Sequence, residues 1–371
     1  MNYRMQELQT FLQKQSIPGG LVTSRQNIFY LSNFDYNPHE RFVGIFVFPN
    51  DEPIFITPAM EVQMIKEAGW KHQILSYTDS DQPWALVGHL IESRNKMNQF
   101  AVEKDDISYS YIEKLQQIFG EVEFASLDSI LTEMRLVKDA DEIEILREAA
   151  AFADYGVQVG IDALKEGITE LEVLGKIEFE LKKKGIKEMS FPPIVLFGQN
   201  ASNPHGASGD NKLKKGDTAL FDLGVKYKGY CSDITRTIMY GNPGSELVKI
   251  YNTVLQANLA GVEASQPGTR IGDVDLSGRR VIQAAGYGDF FPHRIGHGLG
   301  IEIHEAPSIN EVNEGLLKSG MVITIEPGIY LNSLGGVRIE DDVVISDYGC
   351  EVLTKFPKEL MIVGVSDDEQ N

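Results

Sequence analysis

Cysteine is scarce in this chain. Cys231 and Cys350 are the only two in 371 residues, too few for a thiolate metal cage, and a reducing compartment would keep both as thiols. Their expected role is that of small buried hydrophobes. Positive charge is also short, with 34 Lys and Arg against 54 Asp and Glu, a formal net charge of −20. A field of that sign repels phosphate backbones and anionic lipid, which sets aside nucleic acid and membrane as partners. No apolar run is long enough to span a bilayer, and the opening Met1-Asn2-Tyr3-Arg4 lacks the apolar core of a signal peptide. The expected location is the cytoplasm. Gly296, Gly298 and Gly300 do not make a nucleotide loop, because no G-x-G-x-x-G follows a strand and opens a helix with a later acid.

Length, by contrast, is ample. A chain of 371 residues has room for two or three domains and a large core, so folding needs no disulfide or metal staple and a bound metal would serve function. The first part reads as a small α/β domain: a helix near 5–15, apolar runs at 20–22, 28–31, 42–48 and 54–57, then a helix over 58–68. The turn chemistry of Phe48-Pro49-Asn50-Asp51-Glu52-Pro53 pairs the last two runs as a hairpin. Asp139 with Glu142 forms a capping box that opens a long helix towards Leu164, and Thr169 with Glu172 opens another that runs to Lys184 before Gly185. The spacing places a boundary just before the first of these, dividing the chain into 1–130 and 131–371. Further helices are expected near 245–265 and 272–285, with strands before and after them. The fold class is therefore mixed α/β.

Four acids in the second half stand where a soluble protein should bury apolar strands. Asp222 follows Thr218-Ala219-Leu220-Phe221, and Glu326 follows Val322-Ile323-Thr324-Ile325. An ionised carboxylate at the end of such a core strand costs several kcal/mol unless a partner neutralises it. The two segments also match each other, each acid lying six residues after the glycine of Lys215-Gly216 or Ser319-Gly320. Each is followed by a turn, 225–229 or 332–336, and then by a second acid-bearing strand, with Asp233 in the first copy and Glu340 in the second. Two similar hairpins related by a pseudo-twofold axis would deliver all four carboxylates to one point.

Carboxylates with an imidazole suit hard or borderline divalent ions, manganese, cobalt, zinc and iron among them. Four anionic ligands neutralise two dications, and five side chains serve two ions only if some carboxylates bridge, which predicts a dinuclear site and metal-assisted hydrolysis. His205, His293, His297 and His304 all fall in this half beside Gly- and Pro-rich turns, where reactive groups are displayed.

These residues lie in segments that resemble the pita-bread metallopeptidases, the family of methionine aminopeptidase, aminopeptidase P and prolidase. The segments are F-G-Q-N-A-S-N-P-H from Phe197, F-D-L-G from Phe221, S-D-I-T-R-T from Ser232, G-H-G-L-G-I-E-I-H-E from Gly296, T-I-E-P-G-I-Y from Thr324 and G-V-R-I-E-D from Gly336. The resemblance implies that Asp222 chelates one metal, that His297 and Glu326 hold the other, and that Asp233 and Glu340 bridge. It implies two divalent ions, manganese first, with cobalt or zinc as the others. Glu326 would also shuttle the proton. His205 and His304 would stabilise the tetrahedral intermediate and contact substrate, while Arg338 would orient Glu340 or touch substrate. Residues 1–130 resemble the creatinase/prolidase amino-terminal domain, and Asn37-Pro38-His39-Glu40-Arg41 is similar to a loop that, in prolidases of Gram-positive bacteria, reaches the neighbouring subunit's site. That makes His39 and Arg41 candidate substrate contacts and a homodimer the implied assembly.

One departure bears on substrate. Many prolidases carry an arginine where this chain has Ser308; Arg294, three residues before His297, would then supply the grip on a free carboxylate. The resemblance thus implies an Xaa-Pro dipeptidase of the Gram-positive prolidase branch, acting on short proline-containing peptides. Its alternatives are an Xaa-Pro aminopeptidase working on longer peptides and a catalytically inactive pita-bread binding protein.

Overall fold

The computed structural model describes residues 3–365 apart from Pro38 and Asn95. The chain divides into two compact units, Met1–Arg135 and Leu136–Asn371. The division falls at the last residue of helix Asp128–Leu136.

The first unit is built on a 6-stranded sheet, in spatial order Gln73–Tyr77, Ile54–Pro58, Gly44–Val47, Gly20–Val22, Gln99–Val102 and Glu123–Ser126. Its core gathers Phe46, Ile56, Phe100, Val102 and Leu115. The expected hairpin is present, with Ile45 opposite Phe55 in an antiparallel pair. The run at 28–31 is not a strand but the middle of helix Arg25–Ser32. Four consecutive apolar residues carry no period that separates helix from strand. The ends decide instead: the Ser24 hydroxyl accepts from the Asn27 N–H, and Asn33 closes the helix in the left-handed region at φ 59°. The helix expected over 58–68 begins as a 3-10 turn, Ala59–Glu61, before Val62–Glu67.

In the second unit, two layers are built alike. One sheet orders Ile362–Val363, Ile234–Tyr240, Thr218–Leu223 and Ile194–Phe197. Helices Ala140–Asp162 and Glu170–Lys183 cover it, burying Val157, Ile177, Phe221 and Ile238. The other sheet orders Glu305–Ile309, Gly296–Gly298, Val322–Ile325, Asp341–Ser346 and Gly349–Val352. Helices Ser245–Ala264 and Ile271–Ala284 share its core through Val254, Val274, Ile295 and Ile325. Both capping boxes form as read, Asp139 with Glu142 and Thr169 with Glu172. Cys231 is buried and Cys350 half-buried, both free.

The segments between paired acids are more than turns. Val225–Tyr227 pairs with Tyr230–Cys231 on one side and Glu188–Met189 on the other, and Gly328–Leu331 pairs with Gly335–Arg338, so each copy carries an extra small sheet, of three strands in the first and two in the second. Lys228 and Gly229 both have positive φ, 48° and 88°, as a two-residue hairpin turn requires.

Helix glycines let the acid-bearing strands come close. A Cβ on Gly160 would lie 2.7 Å from the Phe221 ring, and one on Gly261 would lie 2.7 Å from Ile325 Cγ2. Phe221 and Ile325 immediately precede Asp222 and Glu326, so these contacts set the depth of both acids. Gly175, on the neighbouring helix, has open space instead. Gly175→Ala should therefore gain up to about 1 kcal/mol from helix propensity. Gly160→Ala should lose stability, because overpacking a tight core costs about 1–3 kcal/mol and outweighs that gain. Urea unfolding of the two variants checks the opposite signs.

Candidate metal centre

Ten of the residues singled out from sequence line one cavity of about 330 Å³: His205, Asp222, Asp233, His293, Arg294, His297, His304, Glu326, Arg338 and Glu340. Asp222 is the last residue but one of strand Thr218–Leu223, and Glu326 follows strand Val322–Ile325. Asp233 precedes Ile234–Tyr240, and Glu340 precedes Asp341–Ser346. His297 stands in the middle of Gly296–Gly298, whose backbone passes so near Thr324 and Ala306 that a Cβ on either glycine would overlap a carbonyl.

Asp233, His297 and Glu340 are all buried, and one ligand atom from each lies within 4.8 Å of the other two. His297 Nε2 is 3.8 Å from Asp233 Oδ2 and 3.5 Å from Glu326 Oε1, while Nδ1 meets the Gly298 carbonyl at 3.1 Å. The Asp233 N–H donates to Asp342 Oδ2 at 2.9 Å, and the Thr235 hydroxyl donates to Glu340 Oε2 at 2.6 Å. Arg338 donates to Asp222, to the Tyr330 hydroxyl at 2.8 Å and to Thr235 Oγ1 at 3.0 Å.

Burial, then repulsion from neighbouring acids, pushes the Asp233 and Glu340 carboxyls well above their usual range. Burial also lifts Glu326 to about 7 and drops His297 to about 3, keeping that imidazole neutral as a metal ligand requires. Asp233 Oδ1 is buried without a hydrogen-bond partner. An orphaned carboxylate oxygen beside a neutral imidazole and further acids is a donor set that fits a divalent cation.

His304 packs edge-on against His297 with ring centroids 4.4 Å apart. Beside it, Glu305 forms a buried 3.1 Å ion pair with Lys138. Arg294 donates to the Ser308 hydroxyl at 3.0 Å, so the serine at the departing position holds the arginine that faces the cavity. His39 and Arg41 stand in the first unit and are not among the cavity's lining residues. There the Arg41 guanidinium meets Asp79 at 3.0 Å; Pro38 of the same loop lies outside the described residues.

The sequence assigns no role to Tyr330, Thr235 or Asp342, and it marks His293 only as one of four histidines beside turns. Tyr330 and Thr235 were legible in principle, since each lies in a motif segment and Thr235 shares a strand face with Asp233 two residues earlier. His293 bonds the Tyr330 hydroxyl at 2.9 Å, a partnership across 37 residues that no local pattern announces. Asp342 is visible only through the backbone it holds.

A small α/β unit followed by two alike helix-on-sheet layers around a pocket of acids has known counterparts. Residues 144–347 match metallopeptidase family M24, and residues 4–137 match the creatinase/prolidase N-terminal domain. The chain is 51% identical over 361 residues to the Bacillus subtilis (strain 168) protein named "Putative dipeptidase YkvY", covering 97% of this chain and 99% of that one. The Xaa-Pro dipeptidase from Bacillus anthracis superposes with a TM-score of 0.91 at 34% identity, over 97% of this chain and 99% of that one. The X-Pro aminopeptidase from Thermotoga maritima MSB8 gives 0.86 at 30% identity, over 94% and 98%. The chain belongs to metallopeptidase family M24. Membership makes peptides its substrate class and divalent metal its cofactor.

Proposed function

We propose that this protein is an Xaa-Pro dipeptidase that hydrolyses the bond before a C-terminal proline, with two divalent ions, manganese first and cobalt or zinc as the others. Asp222, Asp233, His297, Glu326 and Glu340 would hold the ions. Bound there, such ions activate water and polarise the scissile carbonyl. The remaining work falls to the chain. Glu326, in the cavity wall 3.5 Å from His297 Nε2, takes the proton of the attacking water and returns it to the proline nitrogen. That nitrogen is a tertiary amide on a rigid ring and must be protonated to leave. His205 and His304 donate to the oxygen that gains charge, and Arg338 holds Asp222 in place.

The observation that carries the dipeptide reading is Arg294, fixed by Ser308 on the wall of a cavity of about 330 Å³. That volume lies at the small end of the roughly 300–1,000 Å³ usual for ligand sites. A cation held there suits the free carboxylate of a short substrate. The paucity of cysteine suits a reducing compartment, and the cytoplasm is the location that goes with this reading. In a homodimer, the loop bearing His39 and Arg41 would complete the neighbouring subunit's site.

Purified protein given manganese or cobalt should cleave Ala-Pro and Leu-Pro, and should cleave Ala-Pro faster than Ala-Pro-Ala. Assays of matched dipeptides and tripeptides across manganese, cobalt and zinc check this. Faster release from the tripeptide would transfer the assignment to the aminopeptidase class.

A further inference from the structure

Glu170, the first residue of helix Glu170–Lys183, is a fully buried carboxylate that the chemistry above does not use. Its oxygens collect donors from both ends of one loop. Oε1 accepts from the Phe197 N–H at 2.7 Å, from Asn200 Nδ2 at 2.9 Å and from Asn211 Nδ2 at 3.3 Å. Oε2 accepts from the Gly209 N–H at 2.8 Å and from Asn200 Nδ2 at 2.9 Å. Asn211 Nδ2 also donates to the Phe197 carbonyl at 3.0 Å, and the Leu171 N–H to the Gly209 carbonyl at 3.2 Å.

The stapled ends, 197–200 and 209–211, enclose an arch whose middle carries Pro204 and His205 to the cavity wall. The arch is fixed a second time, beside its first footing. A Cβ on Gly336 would lie 1.9 Å from the Ala201 carbonyl oxygen, so the arch rests on the strand that bears Arg338. An exposed histidine on a loop would ordinarily wander; here the loop's footings are tied to one desolvated carboxylate.

We propose that Glu170 is the positioning residue for His205, acting through the 197–211 arch to hold that imidazole over the reacting carbonyl. The proposal rests on the role given to His205 above. Glutamine cannot replace this glutamate. Both oxygens accept from backbone N–H groups, so an amide NH₂ in either place sets donor against donor.

The test is a double-mutant cycle on the metal-loaded enzyme with Ala-Pro as substrate. His205→Ala alone should lower kcat at least about 100-fold, the scale of a lost acid–base or oxyanion contact. Glu170→Gln should lower kcat about 10- to 100-fold by displacing His205. In the His205→Ala background, Glu170→Gln should change kcat by less than about twofold. Metal content should equal wild type in all three. Asn200→Ala, which leaves the carboxylate's backbone bonds in place, should show a smaller loss with the same dependence on His205, and it decides the matter if Glu170→Gln does not fold. Additive losses, or a Glu170→Gln enzyme as fast as wild type, would overturn the positioning role while leaving His205 its own. A His205→Ala enzyme of full activity would instead overturn the reading of His205, and the proposal with it.

Discussion

Replacing Asp233 by alanine is expected to empty the metal centre and to lower kcat/KM for Ala-Pro at least about a thousandfold, or about 4 kcal/mol of transition-state stabilisation. No other acid in the cavity is so placed. Its carboxylate belongs to the buried trio with His297 and Glu340, and one of its oxygens has no protein partner to satisfy it. The backbone should stay where it is, because the Asp233 N–H remains held by Asp342 and the next residue enters strand Ile234–Tyr240. The loss would therefore report on ligation rather than on folding. Elemental analysis of purified protein measures the first half of the expectation and a dipeptide assay the second. A melting experiment adds a third reading: ligand binding at about 100 times its Kd stabilises the folded state by about 2.7 kcal/mol, so added manganese should raise the wild-type Tm and leave the variant's unmoved. A variant that keeps its full metal complement and its melting shift would remove Asp233 from the centre.

How far the sequence foretold this arrangement depends on what each residue's neighbours look like in the chain. Asp222 and Glu326 were conspicuous because each closes an apolar run, and a charge at the end of a core strand demands an explanation. Asp233 and Glu340 followed from repetition. Segments 225–229 and 332–336 look like turns in the sequence, and the short strands that flank or enter them, Val225–Tyr227, Tyr230–Cys231, Gly328–Leu331 and Gly335–Arg338, stay hidden because glycine and mixed polarity in short segments mask a two-residue period. Strands Gln73–Tyr77 and Glu123–Ser126 are hidden in the sequence for a related reason: both are only partly buried and alternate poorly, so parallel pairing with a neighbour, not pattern, makes them strands. The partnership of Arg338 with Tyr330 depends on antiparallel register, which sets Gly328 opposite Arg338 and Tyr330 opposite Gly336. Glu170 shows the limit most plainly. It looks like any acid in the first turn of a helix, where the helix dipole alone would justify it. Only the folded chain shows that its carboxylate gathers Phe197, Asn200, Gly209 and Asn211.

The choice between dipeptide and longer substrate turns on Arg294, and its removal should have a large effect on dipeptide cleavage. Arg294→Met keeps the apolar stem and deletes the charge. If the guanidinium grips the free carboxylate of Xaa-Pro, the variant forfeits a charge-assisted hydrogen bond of about 1.5–3 kcal/mol, which is about a 10- to 150-fold fall in kcat/KM for Ala-Pro. Ala-Pro-Ala carries its carboxylate one residue further on and should lose far less, so the dipeptide preference itself should collapse. Ser308→Ala leaves the charge but releases the 3.0 Å bond that aims it. The bond there comes from a charged guanidinium, but losing it removes only the aim and not the charge, so the same ratio should move in the same direction by a smaller factor, about 2- to 10-fold. The two effects share one cause: Ser308→Ala should add little once Arg294 is methionine. Measuring kcat/KM for both peptides across the four proteins separates a carboxylate reader from a merely structural arginine. Equal losses on dipeptide and tripeptide would mean that Arg294 supports the cavity wall and that substrate length is read elsewhere.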